Sequence, residues 1–196
     1  MSKAHGAVSK MLDELEKLVE DNEKTTMGEI VEVLGQRSFG PFLLLPALLE
    51  MSPVGGIPGV PTALAAIIVL FAAQIVMGRK HMWLPGFLER RSLRTKRIGK
   101  AMPFLRKAGS FLDRWFHGRM KTLTQGAWLR GAAICVIVLA LTVPPLELLP
   151  FASTAPMAAI AAFGLAMLVG DGLLMLAAFL CAGLAFAVGF GMIGRG

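Results

Sequence analysis

The sequence predicts an all-α, polytopic membrane protein with two repeats, each containing a proline- and glycine-broken helical hairpin of the re-entrant type. Of its 196 residues 55% are apolar, and the mean hydropathy of +0.65 is far above that of a soluble domain. Between Gly131 and Gly194 only Glu147 and Asp171 carry charge. Proline and glycine interrupt the apolar stretches, as in discontinuous membrane helices. We expect the two repeats to be inverted, with N-terminal and central amphipathic helices at the membrane surface.

Residues 1–36 predict two amphipathic helices that face water. In the first helix the apolar residues share one face, and acidic residues occupy much of the rest. Thr26-x-x-Glu29 is a plausible capping box for the second helix. We expect these helices to cap the membrane part from the cytoplasm or to pack on a neighbouring chain.

Residues 37–78 form the first predicted repeat, whose middle is too rich in proline and glycine for an ordinary helix. Proline removes a backbone donor and clashes with the preceding turn. The flanking apolar segments, 38–49 and 62–77, are shorter than the roughly 20 residues that cross a membrane. The predicted break contains Pro53, Gly55, Gly56, Pro58, Gly59 and Pro61.

Three polar residues of this repeat are candidate site residues. Glu50 lies within apolar sequence beside the break, where an ionisable group is costly and indicates a site. Alternatively the break lies in water and Glu50 is an ordinary loop acid. Arg37 either extends to the lipid headgroups or contacts an anion. Gln74 is expected to hydrogen-bond the irregular backbone of the break, with ligand binding as the second interpretation.

Residues 128–171 form the second predicted repeat. Glu147 matches Glu50 at a lag of 97 residues, and Arg130 matches Arg37 at a lag of 93. The hypothesis is that these acids and bases face each other within the bilayer. The two lags differ, so accidental similarity between apolar sequences is the alternative. The predicted break residues of this repeat are Pro150 and Pro156.

Residues 172–196 predict a C-terminal transmembrane helix. The segment Leu173–Ile193 is the uninterrupted apolar run of full spanning length. Its small residues allow close helix contact and predict a homodimer. Asp171, immediately before it, is either a turn residue or a buried functional acid.

The basic segment 79–127 is expected to lie on the membrane surface. Residues 79–130 contain 14 basic and two acidic residues, a net charge of +12, whereas residues 1–37 carry −3. Next to so much apolar sequence, such a block is typical of a cytoplasmic segment on anionic lipid rather than of a nucleic-acid-binding protein. The N-terminus and residues 79–127 are therefore predicted to be cytoplasmic, in a bacterial inner membrane.

Several segments together resemble the exopolysaccharide synthesis protein ExoD family. Proteins of that family are bacterial inner-membrane proteins linked to exopolysaccharide production and, in some bacteria, to tolerance of alkaline conditions. The resemblance implies a process and no settled mechanism. Met51-Ser52 departs from it, because the family is more often leucine- and proline-rich there. The segments are Arg37, the prolines at 53, 58 and 61, Gln74-x-x-x-Gly78-Arg79-x-x-x-Trp83-Leu-Pro85, Arg91-x-Leu93 and Asp171-Gly172.

Two functions fit these observations. The first is a small transporter or translocase of an anionic lipid-linked intermediate or a small ion. Arg37 and Arg130 would hold the anion, and Glu50 and Glu147 would bind protons or cations. The alternative is a non-catalytic scaffold of a polysaccharide-synthesis complex. An enzyme, a metal site and a cofactor are not expected, because the sequence has no metal-ligand cluster, nucleophile set or phosphate loop.

Overall fold

The computed structural model describes residues 7–21, 24–34, 39–79, 92–94, 102–103, 106–107, 109–114, 121–147 and 152–193. The all-α class is confirmed, with one small pair of antiparallel strands, β1 (Lys24–Thr26) and β2 (Ser92–Arg94). Thr25 pairs with Leu93 in this ladder. Further helical residues lie at 102–103, 106–107 and 109–114. The helices are α1 (Ala7–Asp21), α2 (Met27–Leu34), α3 (Phe39–Glu50), α4 (Val60–Val76), α5 (Gly126–Leu141), α6 (Val143–Leu146), α7 (Thr154–Val169) and α8 (Gly172–Ile193).

The predicted break of the first hairpin is confirmed as irregular backbone between α3 and α4. A single turn of 3-10 helix, Pro53–Gly56, follows α3, and Ser52 caps it by accepting a hydrogen bond from the Val54 N–H at 3.3 Å. The Ser52 hydroxyl also donates to the Leu49 carbonyl at 2.6 Å, which occupies one of the acceptors left open at the end of α3. Gly59 has a φ of +87°, which only glycine adopts without strain.

The second hairpin consists of α5, the short α6 and α7. The continuous stretch Gly126–Leu146 has 21 residues and a mean hydropathy of 2.0, which is long and apolar enough to cross a membrane. The other apolar helices are shorter over the residues described, including Gly172–Ala187 of α8. Pro156 lies in the first turn of α7 and not in the break, since proline is tolerated where the N–H has no helical acceptor. Pro150 lies outside the described residues.

Helices α3 and α7 run antiparallel, side by side, along their whole length. Gly40 at the start of α3 lies against Gly164 and Leu168 near the end of α7. Glu50 at the end of α3 contacts Ser153, which precedes α7. The two hairpins therefore pack by their flanks and not tip to tip.

Helices α4 and α5 are antiparallel in the same way. Gly78, after α4, lies beside the guanidinium group of Arg130 in the first turns of α5. Gly59, before α4, contacts Glu147, which follows α6. Both hairpins thus point in the same direction, with both breaks at one end of the bundle. The prediction of inverted repeats is wrong for these helices, because inversion would place the breaks of flank-packed hairpins at opposite ends.

The main core lies between α3, α4, α5, α7 and α8 and is filled by apolar side chains. Phe163 and Phe179 pack edge to face with ring centroids 5.0 Å apart. At the crossing of α3 and α7 the backbones themselves touch: a Cβ on Gly164 would lie 2.8 Å from the Leu44 nitrogen. Small residues permit the same close approach between membrane helices.

A second, smaller core forms at the end opposite the breaks, where α1 packs on the end of α7 and on described helical residues between 102 and 114. Its buried residues are Val8, Leu12, Leu15, Met102 and Val169. Asp113 caps α1 by accepting hydrogen bonds from the N–H groups of Val8 at 3.1 Å and Ser9 at 2.9 Å. Met102 and Leu112 of this basic segment therefore pack on protein, whereas Phe111 is 61% exposed, so the location of the segment on the membrane surface stays a prediction.

Charge complementarity adds to this contact. The Arg106 guanidinium pairs with Glu16 and, at 2.9 Å, with Asp13. Hydrogen bonds from Glu16 and then Asp13 raise the pKa of Arg106 above its ordinary value. The Thr26–Glu29 capping box is confirmed, since the Thr26 N–H donates to the Glu29 carboxylate at 2.9 Å and the Glu29 N–H donates back at 3.3 Å.

The α3–α7 contact predicts opposite outcomes for two glycine substitutions. Gly164→Ala should destabilise the protein by about 1–3 kcal/mol, because the new methyl group meets backbone atoms that cannot give way. Gly183→Ala in α8 is the matched control, since a Cβ there meets nothing within 4 Å. Thermal unfolding of the purified variants measures both. Equal stability of the two variants would contradict the close helix crossing.

Candidate functional site

A cleft of about 960 Å³ lies at the end of the bundle where the two breaks meet. Its walls come from the segment after α3, from the start of α4 and from the residues around α6 and α7. Both sequence-predicted acids, Glu50 and Glu147, line it, as do the predicted break residues Pro53, Pro58 and Pro61. The hairpin break is therefore the wall of a cavity as well as an interruption of the helix.

Glu50 is buried at the end of α3, with only 5% of its surface exposed. Its Oε1 accepts a hydrogen bond from the Ser153 hydroxyl. Its Oε2 is buried and has no hydrogen-bond partner among the described residues. Because Ser153 is the N-cap of α7, the carboxyl group sits beside the positive end of that helix, which favours a negative charge.

Glu147 lies just beyond the apolar stretch Gly126–Leu146, and it is partly exposed. One carboxylate oxygen accepts from the Thr62 hydroxyl, and the other accepts from the N–H of Gly59, the N-cap of α4. These two bonds, that from Thr62 first, lower the pKa of Glu147 below its ordinary value. Glu147 thus acts as an ionised cap for α4, a helix whose own N-cap residue has no side chain.

The two acids make reciprocal contacts. Glu50 is the last residue of α3 in the first hairpin, and it contacts Ser153, the N-cap of α7 in the second hairpin. Glu147 follows α6 in the second hairpin, and it contacts Gly59, the N-cap of α4 in the first hairpin. The correspondence of Glu50 and Glu147 along the sequence therefore has a counterpart in their contacts.

Gly55 holds the backbone of Glu50 in place. A Cβ on Gly55 would lie 1.8 Å from the Glu50 carbonyl oxygen, so no other residue fits without moving the end of α3. The adjacent Gly56 has open space around its Cβ position. Sequence reasoning placed both glycines in the break and could not separate them. It also missed Ser153 and Thr62, whose only signal is a hydroxyl residue at the start of an apolar helix.

Arg130 and Gln74 do not line this cleft. Arg130 lies at the opposite end of the bundle beside Gly78. Gln74 is buried near the end of α4, 12 residues or about 18 Å along the helix from Thr62. Its predicted bond to the break is therefore wrong. Arg37 lies outside the described residues.

Asp171 also lies at that opposite end, where it starts α8. One of its carboxylate oxygens accepts from the N–H groups of Leu173 at 2.9 Å and Leu174 at 3.2 Å. Of the two interpretations given for this residue, the turn residue is the one that the contacts support, because this is the geometry of a helix N-cap.

The chemistry of the cleft follows from its charges. Among its described lining residues there are two carboxylates and no lysine, arginine or histidine. Residues 148–151, outside the described residues, have the uncharged sequence Leu-Leu-Pro-Phe. Within the described residues no three acids, histidines or cysteines come together as metal ligands. The cleft therefore favours a proton or a cation over an anion.

The bonds of Glu147 predict a pH effect with a definite sign. Its pKa is lower in the folded protein than the ordinary 4.5, so the stabilisation is present above pH 4.5 and is lost as the pH falls through the folded value. Thr62→Val removes the larger cause and should flatten the loss of thermal stability between about pH 5 and pH 3. Thr122→Val, an exposed position at the other end, is the control. Parallel pH curves for wild type and Thr62→Val would refute the role of this bond.

Comparison with known proteins agrees with the resemblance noted from the sequence. The family model described as "Exopolysaccharide synthesis, ExoD" matches residues 8–191. Protein ExoD of Rhizobium meliloti is 34% identical over 158 residues, which are 76% of this chain and 62% of that protein, so the chain spans less than two thirds of that relative. An uncharacterized protein of Synechocystis sp. is 24% identical over 174 residues, 85% of this chain and 76% of its own length. No solved structure matches the chain significantly. With a family match over nearly all of its length, the chain belongs to the ExoD family of exopolysaccharide synthesis proteins.

Proposed function

We propose that this protein is a small multi-pass transporter of the bacterial inner membrane that serves exopolysaccharide synthesis, and that Glu50 and Glu147 bind the protons or cations that drive it. The observation that carries the proposal is Glu50, which is 5% exposed, lines the same cleft as Glu147 and has one carboxylate oxygen without a partner among the described residues. Ionisable groups held in an apolar bundle are costly and mark ion and proton pathways in transporters.

The outer surface of the bundle supports a membrane location. Large apolar side chains are exposed on α3, α5 and α8, including Leu45 at 64%, Leu141 at 62% and Leu180 at 69%. A water-soluble monomer rarely exposes contiguous apolar surface of this kind. The candidate span Gly126–Leu146 adds to this argument, and α3, α4, α7 and α8 would cross alongside it.

The charges give the proposed orientation. The acidic α1 lies at the end of the bundle opposite the cleft, as do Met102 and Arg130 of the basic segment. The excess of lysine and arginine places that end in the cytoplasm. The cleft then faces the other side of the inner membrane, where polysaccharide is exported.

The proposed site in the cleft does not include anion binding by Arg130. Arg130 lies at the cytoplasmic end in this orientation, a helix length away from Glu147. It therefore serves headgroup contact rather than the cleft. The cargo that the cleft itself recognises is positively charged or is carried together with a cation.

A scaffold role is the second candidate, and the exposed side of α8 favours it. Leu180, Cys181, Gly183 and Leu184 are all exposed on this helix. A second copy of the chain or another synthesis protein would cover this face in the bilayer, and the predicted homodimer would use it.

The transport proposal predicts that Glu50→Gln and Glu147→Gln fail to restore polysaccharide output in a deletion strain. Each variant keeps the size of the side chain but removes its exchangeable charge and replaces one acceptor oxygen with an NH2 donor. Glu14→Gln, at an exposed acid of α1, should restore output to the wild-type level. Membrane levels and thermal unfolding of each variant control for folding. Full output from a strain carrying both cleft substitutions would refute the coupled-transport role and favour the scaffold.

The orientation predicts the labelling of single cysteines placed in a background without Cys135 and Cys181. A membrane-impermeant maleimide should label Gly56→Cys and Ala155→Cys, one beside each break, in intact spheroplasts. Thr122→Cys, exposed before α5, should react only after permeabilisation. Labelling of the two break positions from opposite sides would contradict the parallel hairpins, and free labelling of all three would contradict the membrane location.

A further inference from the structure

We propose that the cleft binds a small organic cation with an apolar body, whose charge lies between Glu50 and Glu147. This inference rests on the proposed function, because it concerns the same cleft and names the class of molecule that the cleft takes. It goes further in choosing an organic cation over a proton or a bare metal ion.

The first argument is charge. Glu147 accepts one hydrogen bond at each carboxylate oxygen, and a carboxylate has about four acceptor sites, so both oxygens retain capacity for a ligand. Among the described lining residues no basic side chain competes for these acids. A cation entering the cleft therefore meets uncompensated negative charge.

The second argument is the state of Glu50. Its Oε2 has no partner among the described residues although the side chain is nearly fully buried. A buried carboxylate with an unused oxygen is unfavourable unless a counter-charge or a donor is supplied. Ser153 supplies one donor to Oε1, and the ligand is the remaining source for Oε2.

The third argument is size. A volume of about 960 Å³ is at the upper end of the roughly 300–1,000 Å³ typical of small-molecule sites. An alkali or alkaline-earth ion needs six or more oxygen ligands close around it. The described residues bring no third acid to the two in the cleft, so its carboxylates alone do not complete the ligand set of a bare ion.

The fourth argument is the character of the walls. Met51 and Ile57 are exposed and line the cleft together with four prolines, and the described polar lining consists of the two acids and three hydroxyl residues. Methionine adapts to ligands of irregular shape, and rigid proline rings provide apolar surface at little entropic cost. The described lining has no aromatic ring, so the contact with the ligand body is aliphatic.

A pair of probes with the same shape and opposite charge tests the proposal. Tetraphenylphosphonium should bind the full-length protein in detergent, measured by equilibrium dialysis against protein-free micelles. Tetraphenylborate should bind at least about tenfold more weakly, because its charge is repelled by both acids. Glu50→Gln and Glu147→Gln should each weaken tetraphenylphosphonium binding by about tenfold, whereas Glu14→Gln should leave it unchanged.

Each result decides the proposal. Equal binding of the two probes would reduce the cleft to an apolar surface and overturn the inference, as would the absence of tetraphenylphosphonium binding. Insensitivity to both glutamine substitutions would place the probe elsewhere and also overturn it. Should Glu50→Gln fail to fold, Glu147→Gln together with the probe pair is sufficient, since the pair reports charge recognition and the substitution places it at the cleft.

The outcome is separable from that of the proposed function. If the glutamine variants lose tetraphenylphosphonium but keep full polysaccharide output, the cation site stands and the transport role in synthesis fails. If wild type does not bind the probe while the variants lose output, the transport role stands and the organic-cation inference fails.

Discussion

The structure depends on two carboxyl groups that join the broken ends of neighbouring hairpins. Every helix leaves N–H donors open at its start, and in an apolar bundle there is little water to satisfy them. Glu147 supplies the acceptor for the start of α4, and Glu50 lies against the cap of α7. Each acid contacts the helix start of the other hairpin. The N-terminal ends of α4 and α7 therefore obtain these contacts only when both hairpins are packed together. This exchange fixes the hairpins in the same direction and creates the cleft between their breaks.

The close crossing of α3 and α7 follows from the same arrangement. With both hairpins parallel, the first arm of one lies along the second arm of the other, and Gly40 faces Gly164 where they cross. Without side chains at these positions the backbones approach closely enough for the acid at the far end of α3 to reach Ser153. Packing at one end of the bundle therefore sets the geometry of the site at the other.

Much of this arrangement could be predicted from the sequence, because it follows from residue composition and from the positions of proline and glycine. The apolar arms, the breaks at Pro53–Pro61, the importance of Glu50 and Glu147, and the Thr26–Glu29 cap all follow from residue type and spacing. The direction of the hairpins could not be predicted, because the sequence pattern of an apolar helix does not depend on the direction in which the helix crosses the bundle. The helices of the bundle are apolar on all sides, so hydrophobic periodicity does not identify the face by which each helix contacts its neighbours.

The pairing of arginine with glutamate failed for a reason that was available in the sequence. Arg130 and Glu147 are 17 residues apart in one helical arm, which is about 25 Å. An arginine of one repeat could lie beside the glutamate of the other repeat only if the repeats were inverted, so the error in direction produced the error in the site. An apolar face flanked by positive charge can pack on lipid or on an acidic helix, and the net charge of −3 in residues 1–37 was the sequence signal for the contact of Met102 with α1.

The two acids are matched in position and unequal in environment, and this difference gives the cleft its chemistry. Glu147 is partly exposed and has both oxygens occupied, so its charge is stabilised within the protein. Glu50 is buried and has one oxygen occupied by Ser153. If both acids had every oxygen hydrogen-bonded within the protein, their role in the break would be only structural. Because Glu50 Oε2 lacks a partner among the described residues, it can accept a donor or a positive charge from a ligand, which is the basis of the proposed cation site.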